Sequence, residues 1–219
     1  GSTYVTDSSS ASFVSCEFKN NSAKGIGGAA YVTNNSTASF SGCIVSNNRA
    51  GDSGGVAIVD TGSTVSFTGC IVTSNSAVRS GGVVFMRKDS TASFSDCNVS
   101  RNSAGKDGGV AQILYASHAT FLRSNVSFNY ANRSGGMVFA STKSSFAMHA
   151  STVSNNFVSD PFSKGGAVLV TSGGSWADIS DTHFFGNQAR GEGSFGGCFH
   201  VQDNQGDKPL KVRGGSLIN

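Results

Sequence analysis

The chain has 219 residues, with 29 Gly, 38 Ser, 2 Pro, 13% charged residues and a net charge of +3. Gly, Ser, Thr, Asn and Val dominate where a coiled coil or helical bundle would carry Ala, Glu, Lys and Leu, so the composition excludes those folds and favours strands and turns. Its hydrophobic content of 37%, with 16 Phe, sets it apart from a disordered chain. The weak charge gives no basis for nucleic-acid binding, and no apolar run approaches the ~20 residues that span a bilayer, so no membrane insertion is expected.

An internal repeat organises the chain. Phe13, Phe40, Phe67, Phe94 and Phe121 are spaced by 27, Met148 holds the same place, and Ile179 follows after 31. Eight residues beyond each stands Asn21, Asn48, Asn75, Asn102, Asn129, Asn156 or Asn187, and ten beyond stands a small residue, from Ala23 to Ala189. A glycine pair closes each unit, from Gly27-Gly28 to Gly196-Gly197, with three extra residues before the last two pairs, in 159–163 and 191–195. Such a unit, built of short apolar stretches between Gly, Asn and Ser, suits one coil of a parallel β-solenoid.

In chain order each coil offers three short strands, exemplified by Ala38–Phe40, Cys43–Val45 and Val56–Val59, which imply a roughly triangular section. Seven coils at about 4.8 Å make a rod ~35 Å long, and every repeated position becomes a ladder. The Phe ladder is expected to fill the core, and the Asn ladder to lie at an inward bend with its amides bonded along the stack. The glycine pair is expected to supply positive φ or close backbone approach. Cys16, Cys43, Cys70 and Cys97, continued by Ser124, Ser151 and Thr182, form a further column. It reads as buried thiols, with disulfides between adjacent coils as the alternative; one ligand per coil along a line makes no metal site, and no cofactor is expected.

The stretch Phe18-Lys-Asn-Asn21 followed by Gly27-Gly28-Ala29 resembles the repeat of the polymorphic outer membrane proteins of chlamydiae, whose signatures are FxxN and GGA. Phe184-Phe-Gly-Asn187 matches the first signature too. Elsewhere Val45, Val72, Val99, Val126 and Val153 replace its Phe, and GGV or GGM often replaces GGA. The resemblance covers residues 3 to about 202 and implies a right-handed β-helix, exported to the cell surface and used in adhesion. The expectation is therefore an all-β, right-handed parallel β-helix over 1–202, with 203–219 as a C-terminal cap or the start of a further coil.

Several surface features could carry function. Asp178, Asp181 and His183 follow the sole Trp, Trp176, with His149 one coil earlier. Paired carboxylates beside an aromatic platform could serve glycoside hydrolysis, which makes a carbohydrate-active enzyme or sugar-binding module the alternative reading. Asp96 and Arg123 share an outward column and should form a surface ion pair. Outward rows such as Thr37, Ser39 and Ser41 have the look of an ice-binding face, a third reading, or of a plain solvated strand. The column Tyr4, Tyr31, Ile58, Phe85, Gln112, Phe139, Leu169 and His200 belongs to a strand apolar on both faces, either doubly buried or covered by a partner; Tyr4, Tyr31, Phe85 and Phe139 are its candidate partner face. Sequons for N-glycosylation stand at Asn20, Asn34, Asn35, Asn98, Asn125 and Asn132, at no more than the frequency that this composition supplies.

Tyr4-Val5-Thr6 aligns with Tyr31-Val32-Thr33, so the first coil opens in mid-unit with unpaired edges. Further coils of the same chain, or other copies of it, are the expected partners, together with glycans or host and cell-surface molecules. The functional expectation is an extracellular or cell-surface structural and adhesive protein, a segment or subunit of a surface fibre, without catalysis.

Overall fold

The computed structural model of the chain describes residues 2–171, 173–202 and 210–218. Its strands stack in parallel into three eight-stranded sheets and one seven-stranded sheet, without a helix among the described residues. Sheet I runs from Thr3–Val5 to Phe199–Gln202, sheet II from Ser10–Val14 to Leu210–Arg213, and sheet III from Glu17–Lys19 to Ser216–Ile218. Sheet IV, from Ser22–Ala23 to Gln188–Ala189, is made of two-residue strands. Each coil therefore carries a fourth strand beyond the three expected. That strand follows the Asn, and its small residues Ala104, Ala131 and Val158 close a separate buried cluster with Ala189 against it. Two residues are too few to show a period of two, which hides the strand in the sequence.

The register is the sequence repeat itself. Phe40 pairs with Phe67, Phe67 with Phe94 and Phe94 with Phe121, and Met148 and Ile179 continue the column. Residues alternate along each sheet II strand, so Ala92 and Phe94 are sealed inside while Thr91, Ser93 and Ser95 face outward. Successive core rings stack 4.9 Å apart, nearly parallel from Phe40 to Phe121. Sheet III supplies the Val45-type column, and at the first coil Phe18 meets Phe40 edge-on at 5.1 Å. The step lengthens to 31 between Met148 and Ile179 because the 159–163 loop is enlarged and the Gly173-Gly174 turn adds one residue more.

The corners explain the polar columns. At three of them a left-handed residue precedes an inward side chain that accepts the backbone N–H of its counterpart one coil earlier. Asn35 precedes Ser36, Gly42 precedes Cys43 and Asn47 precedes Asn48. The Cys column follows this rule: Cys16 N–H donates to Cys43 Sγ and Cys43 N–H to Cys70 Sγ, both at 3.4 Å. Cys97 N–H then donates to Ser124 Oγ at 3.1 Å, so thiol and hydroxyl play one part and replace each other along the column. The cysteines are free thiols, and burial pushes the Cys43 thiol up. A serine ladder that the sequence reading missed lines another corner. Ser36 N–H donates to Ser63 Oγ at 3.1 Å and Ser90 N–H to Ser117 Oγ at 3.2 Å.

The glycine pair divides the two tasks expected of it. The first member, such as Gly81, takes φ +66°, and the second, such as Gly82, leaves no room for a Cβ, which would lie 2.1 Å from the Gly109 carbonyl oxygen. Residues 203–209, the first part of the stretch expected to be a C-terminal cap or the start of a further coil, lie outside the described residues. Beyond them Leu210–Arg213 and Ser216–Ile218 pair in register with the preceding coil.

Candidate functional site

The coil-seven residues do not converge. Trp176 and Asp178 project outward from the sheet II strand Trp176–Ser180, Asp181 occupies the left-handed corner at φ 50°, and His183 projects outward from sheet III. Three residues of spacing across a corner place the two carboxylates on different faces. Asp178 is also held by Arg213, whose guanidinium donates to both carboxylate oxygens at 2.7 and 2.9 Å. His183 Nδ1 lies 2.9 Å from Ser216 Oγ and His149 Nδ1 2.8 Å from Ser180 Oγ. Trp176 instead stands beside His118, with ring centroids 6.0 Å apart, and burial lowers the pKa of that imidazole.

Acid and arginine pair repeatedly from coil to coil. Asp96 and Arg123 form the expected surface ion pair, two-pronged at 2.7 and 2.8 Å. Arg87 reaches the buried Asp60 at 2.7 Å, with Lys88 at 3.8 Å, and Arg133 grips the buried Asp107. Burial works against the Arg87 charge, but the bond to Asp60 and the nearby Tyr31 hydroxyl outweigh it and hold the guanidinium above its ordinary range. Among the described residues no group of three or more His, Cys, Asp or Glu gathers at one point.

The apolar column of sheet I is covered largely by the chain itself. Ile58 is sealed, its Cδ1 packed against the glycine corner at Gly54, and Gln112 and Leu169 are buried. Tyr4 is 64% exposed, whereas Tyr31, Phe85 and Phe139 are half-buried. The four candidate partner residues thus do not make one continuous open patch. What remains open above Ile58, Phe85 and Gln112 is a cleft of about 480 Å³. One wall is the corner carrying Ser53, Ser80 and Asp107, with Asp52, Arg79, Lys106 and Arg133; the other carries Arg87 and Leu114. The sequence held a signal for this wall. The position two before the paired glycines reads Asp52, Arg79, Lys106, Arg133, a column joined by backbone bonds from each residue to the one before.

The sequon acceptors are reachable: Asn20, Asn34, Asn35, Asn98 and Asn125 are exposed and Asn132 is half-buried. Asn34 and Asn35 occupy a left-handed turn at φ 56°.

With the register and corners in view, the family follows. The family model of the right-handed beta helix region matches residues 4–206. The chain belongs to this family. Neither the curated proteins nor the solved structures contain a match to the chain. Right-handed β-helices serve several chemistries on one scaffold, so role has to be argued from the surface of this one.

Proposed function

We propose that this right-handed β-helix is an extracellular, non-catalytic structural and adhesive element of a cell surface, in the manner of the chlamydial repeat proteins its FxxN and GGA units resemble. The observation that carries the reading is where the acids are spent. Asp60, Asp96, Asp107 and Asp178 each bind an arginine of a following coil. Carboxylates tied up as coil-to-coil struts stiffen a rod, and oxygens already engaged by a guanidinium are poorly placed to exchange protons with a substrate.

The outward faces fit a contact role. Sheet II presents rows of short hydroxyl side chains on a flat, rigid support, and rigid display costs little ordering entropy when a partner binds. Its partners on this reading are glycans or cell-surface molecules, together with further coils that continue the stack.

The test compares adhesion with cleavage. The purified chain and its Asp178→Asn/Asp181→Asn variant are applied to a glycan array and, separately, to a panel of polysaccharides assayed for new reducing or unsaturated ends. Retention on glycans by both proteins, with no cleavage by either, is the expected result. Cleavage by the parent chain that the double substitution abolishes would replace this proposal with a carbohydrate-active enzyme.

A further inference from the structure

We infer that the cleft above sheet I binds a monoanionic sugar unit, a pyranose bearing one carboxylate or one sulfate ester, gripped by Gln112, Ser80 and Lys106. The inference rests on the adhesive reading and names the ligand class for one site on it.

Two buried polar groups in the cleft are unspent. Gln112 is 7% exposed, and its carboxamide makes no hydrogen bond among the described residues; Ser80 is 6% exposed, and its hydroxyl makes none either. Buried polar side chains are ordinarily satisfied, so a pair left open in one cleft calls for a partner that enters it. An amide and a hydroxyl each donate and accept, and so does every sugar hydroxyl, which matches the two without need of a particular proton arrangement. Gln112 is also a polar break in a largely apolar column, standing between Phe85 and Phe139 in register.

The charges limit the ligand further. Arg79, Arg87, Lys106 and Arg133 line the cleft with Asp52 and Asp107, and Asp60 holds Arg87 from beside it. Asp60 is shared by Arg87 and Lys88, so what decides the ligand is which lining cation lacks an acid of its own. Arg133 is committed to Asp107, and Arg79 stands 3.7 Å from Asp52, whereas Lys106 has no acid partner among the described residues. One surplus cation suits a carboxylate or a sulfate ester and falls short of a phosphate ester, which carries up to two charges at neutral pH. The half-buried Phe85 ring offers the apolar floor on which the C–H face of a sugar can lie, and about 480 Å³ is ample for one or two rings.

Calorimetric titration of the full chain with methyl glucuronide, methyl sialoside, galactose 6-sulfate, methyl glucoside and glucose 6-phosphate tests this. The expected result is binding of at least one carboxylate or sulfate sugar, at least about tenfold tighter than the neutral glycoside and weakened by salt. The carboxylate and sulfate arms then identify which anion the cleft takes. Lys106→Met should remove the charge preference, and Gln112→Leu should weaken all sugars by about tenfold while keeping that preference. Both replacements fill the same space with apolar atoms, and an unchanged circular dichroism spectrum certifies the fold. No binding by any acidic sugar at millimolar concentration, tighter binding of the phosphate, or binding indifferent to both substitutions overturns the inference. The adhesion assay with the parent chain separates the two levels. Adhesion by a parent chain that binds no acidic sugar sinks the cleft and leaves the adhesive reading standing, whereas cleavage of polysaccharide sinks the latter.

Discussion

Oδ1 of Asn102 accepts two hydrogen bonds from Asn75, one from its backbone N–H at 3.0 Å and one from its Nδ2 at 2.9 Å. Asn102 Nδ2 in turn donates to Asn129 Oδ1 and to the Val72 carbonyl, both at 3.0 Å. Every polar atom of this sealed amide is used, which is why no other side chain repeats at the position: serine lacks the reach and aspartate lacks the donors.

Asn102→Ala strands the Asn75 backbone N–H, one N–H of the Asn75 side-chain amide and a bond to the Val72 carbonyl in the interior. At ~1–3 kcal/mol for each orphaned group, the cost should be at least ~3 kcal/mol in a denaturant melt. Asn102→Asp keeps the acceptor but sets a carboxylate against two oxygens, so its folded-state pKa lies above its unfolded value. Its stability is then present at low pH and lost as pH rises. A variant equally stable at pH 4 and pH 7 would contradict this account of the ladder.

Phe94 is wholly buried, with Phe67 and Phe121 each 4.9 Å away. Phe94→Ala opens a cavity between two rings that the stacked coils cannot close, because each strand is fixed by its neighbours above and below. A loss of ~3–5 kcal/mol is expected, and Phe94→Leu should recover most of it. Near-neutral behaviour of the alanine variant in thermal unfolding would mean that the column is not packed as described.

Legibility in the sequence tracks how far a signal stands above its background. Phe94 and Asn102 are legible because the same residue type recurs at one fixed spacing from coil to coil. The ladder of Ser36, Ser63 and Ser90 recurs as regularly, yet it was lost among the outward Ser of sheet II, since burial and not identity separates them. Left-handed corners were read from glycine alone, whereas Asn47, Arg101 and Phe128 hold the same conformation. The cleft was hidden for a different reason. Ile58 and Gln112 look like an open face until corner residues of neighbouring coils fold over them, a tertiary event that no local pattern records. Asp178 and His183 erred the other way, close in sequence and parted by the turn at Asp181.

His118 should make the fold sensitive to acid. Its ring is partly buried, with Nδ1 2.8 Å from Ser145 Oγ and Nε2 3.1 Å from Thr120 Oγ1, and burial holds its pKa below the ordinary 6.5. The folded state therefore binds the proton less readily than the unfolded chain does. Stability is full above about 6.5, falls as pH drops below it, and levels off once pH passes the folded-state value. Burial lowers His200 as well, so the two residues act in the same direction. Denaturant midpoints at pH 7.5 and pH 5 should differ in the parent chain and differ less in His118→Gln; an equal pH dependence in both proteins would remove His118 as a cause.

The corners predict opposite effects for two substitutions that exchange the same pair of residues. A Cβ added at Gly82 would sit 2.1 Å from the Gly109 oxygen and 2.7 Å from that of Ser103, all of it backbone locked in the stack. Gly82→Ala can be accommodated only by parting two coils, so it should unfold the rod locally or cost more than ~3 kcal/mol. Ala150 is exposed and already strained at φ 48°, in the column where Gly42 and Gly69 stand. Ala150→Gly relieves about 1–2 kcal/mol of left-handed strain and gives back about 0.4–1 kcal/mol through the freer unfolded chain, for a net gain of about 0.8 kcal/mol. Thermal melts of the two variants beside the parent decide the matter, and a tolerated Gly82→Ala would mean that the coils stack less closely at this corner than 2.1 Å demands.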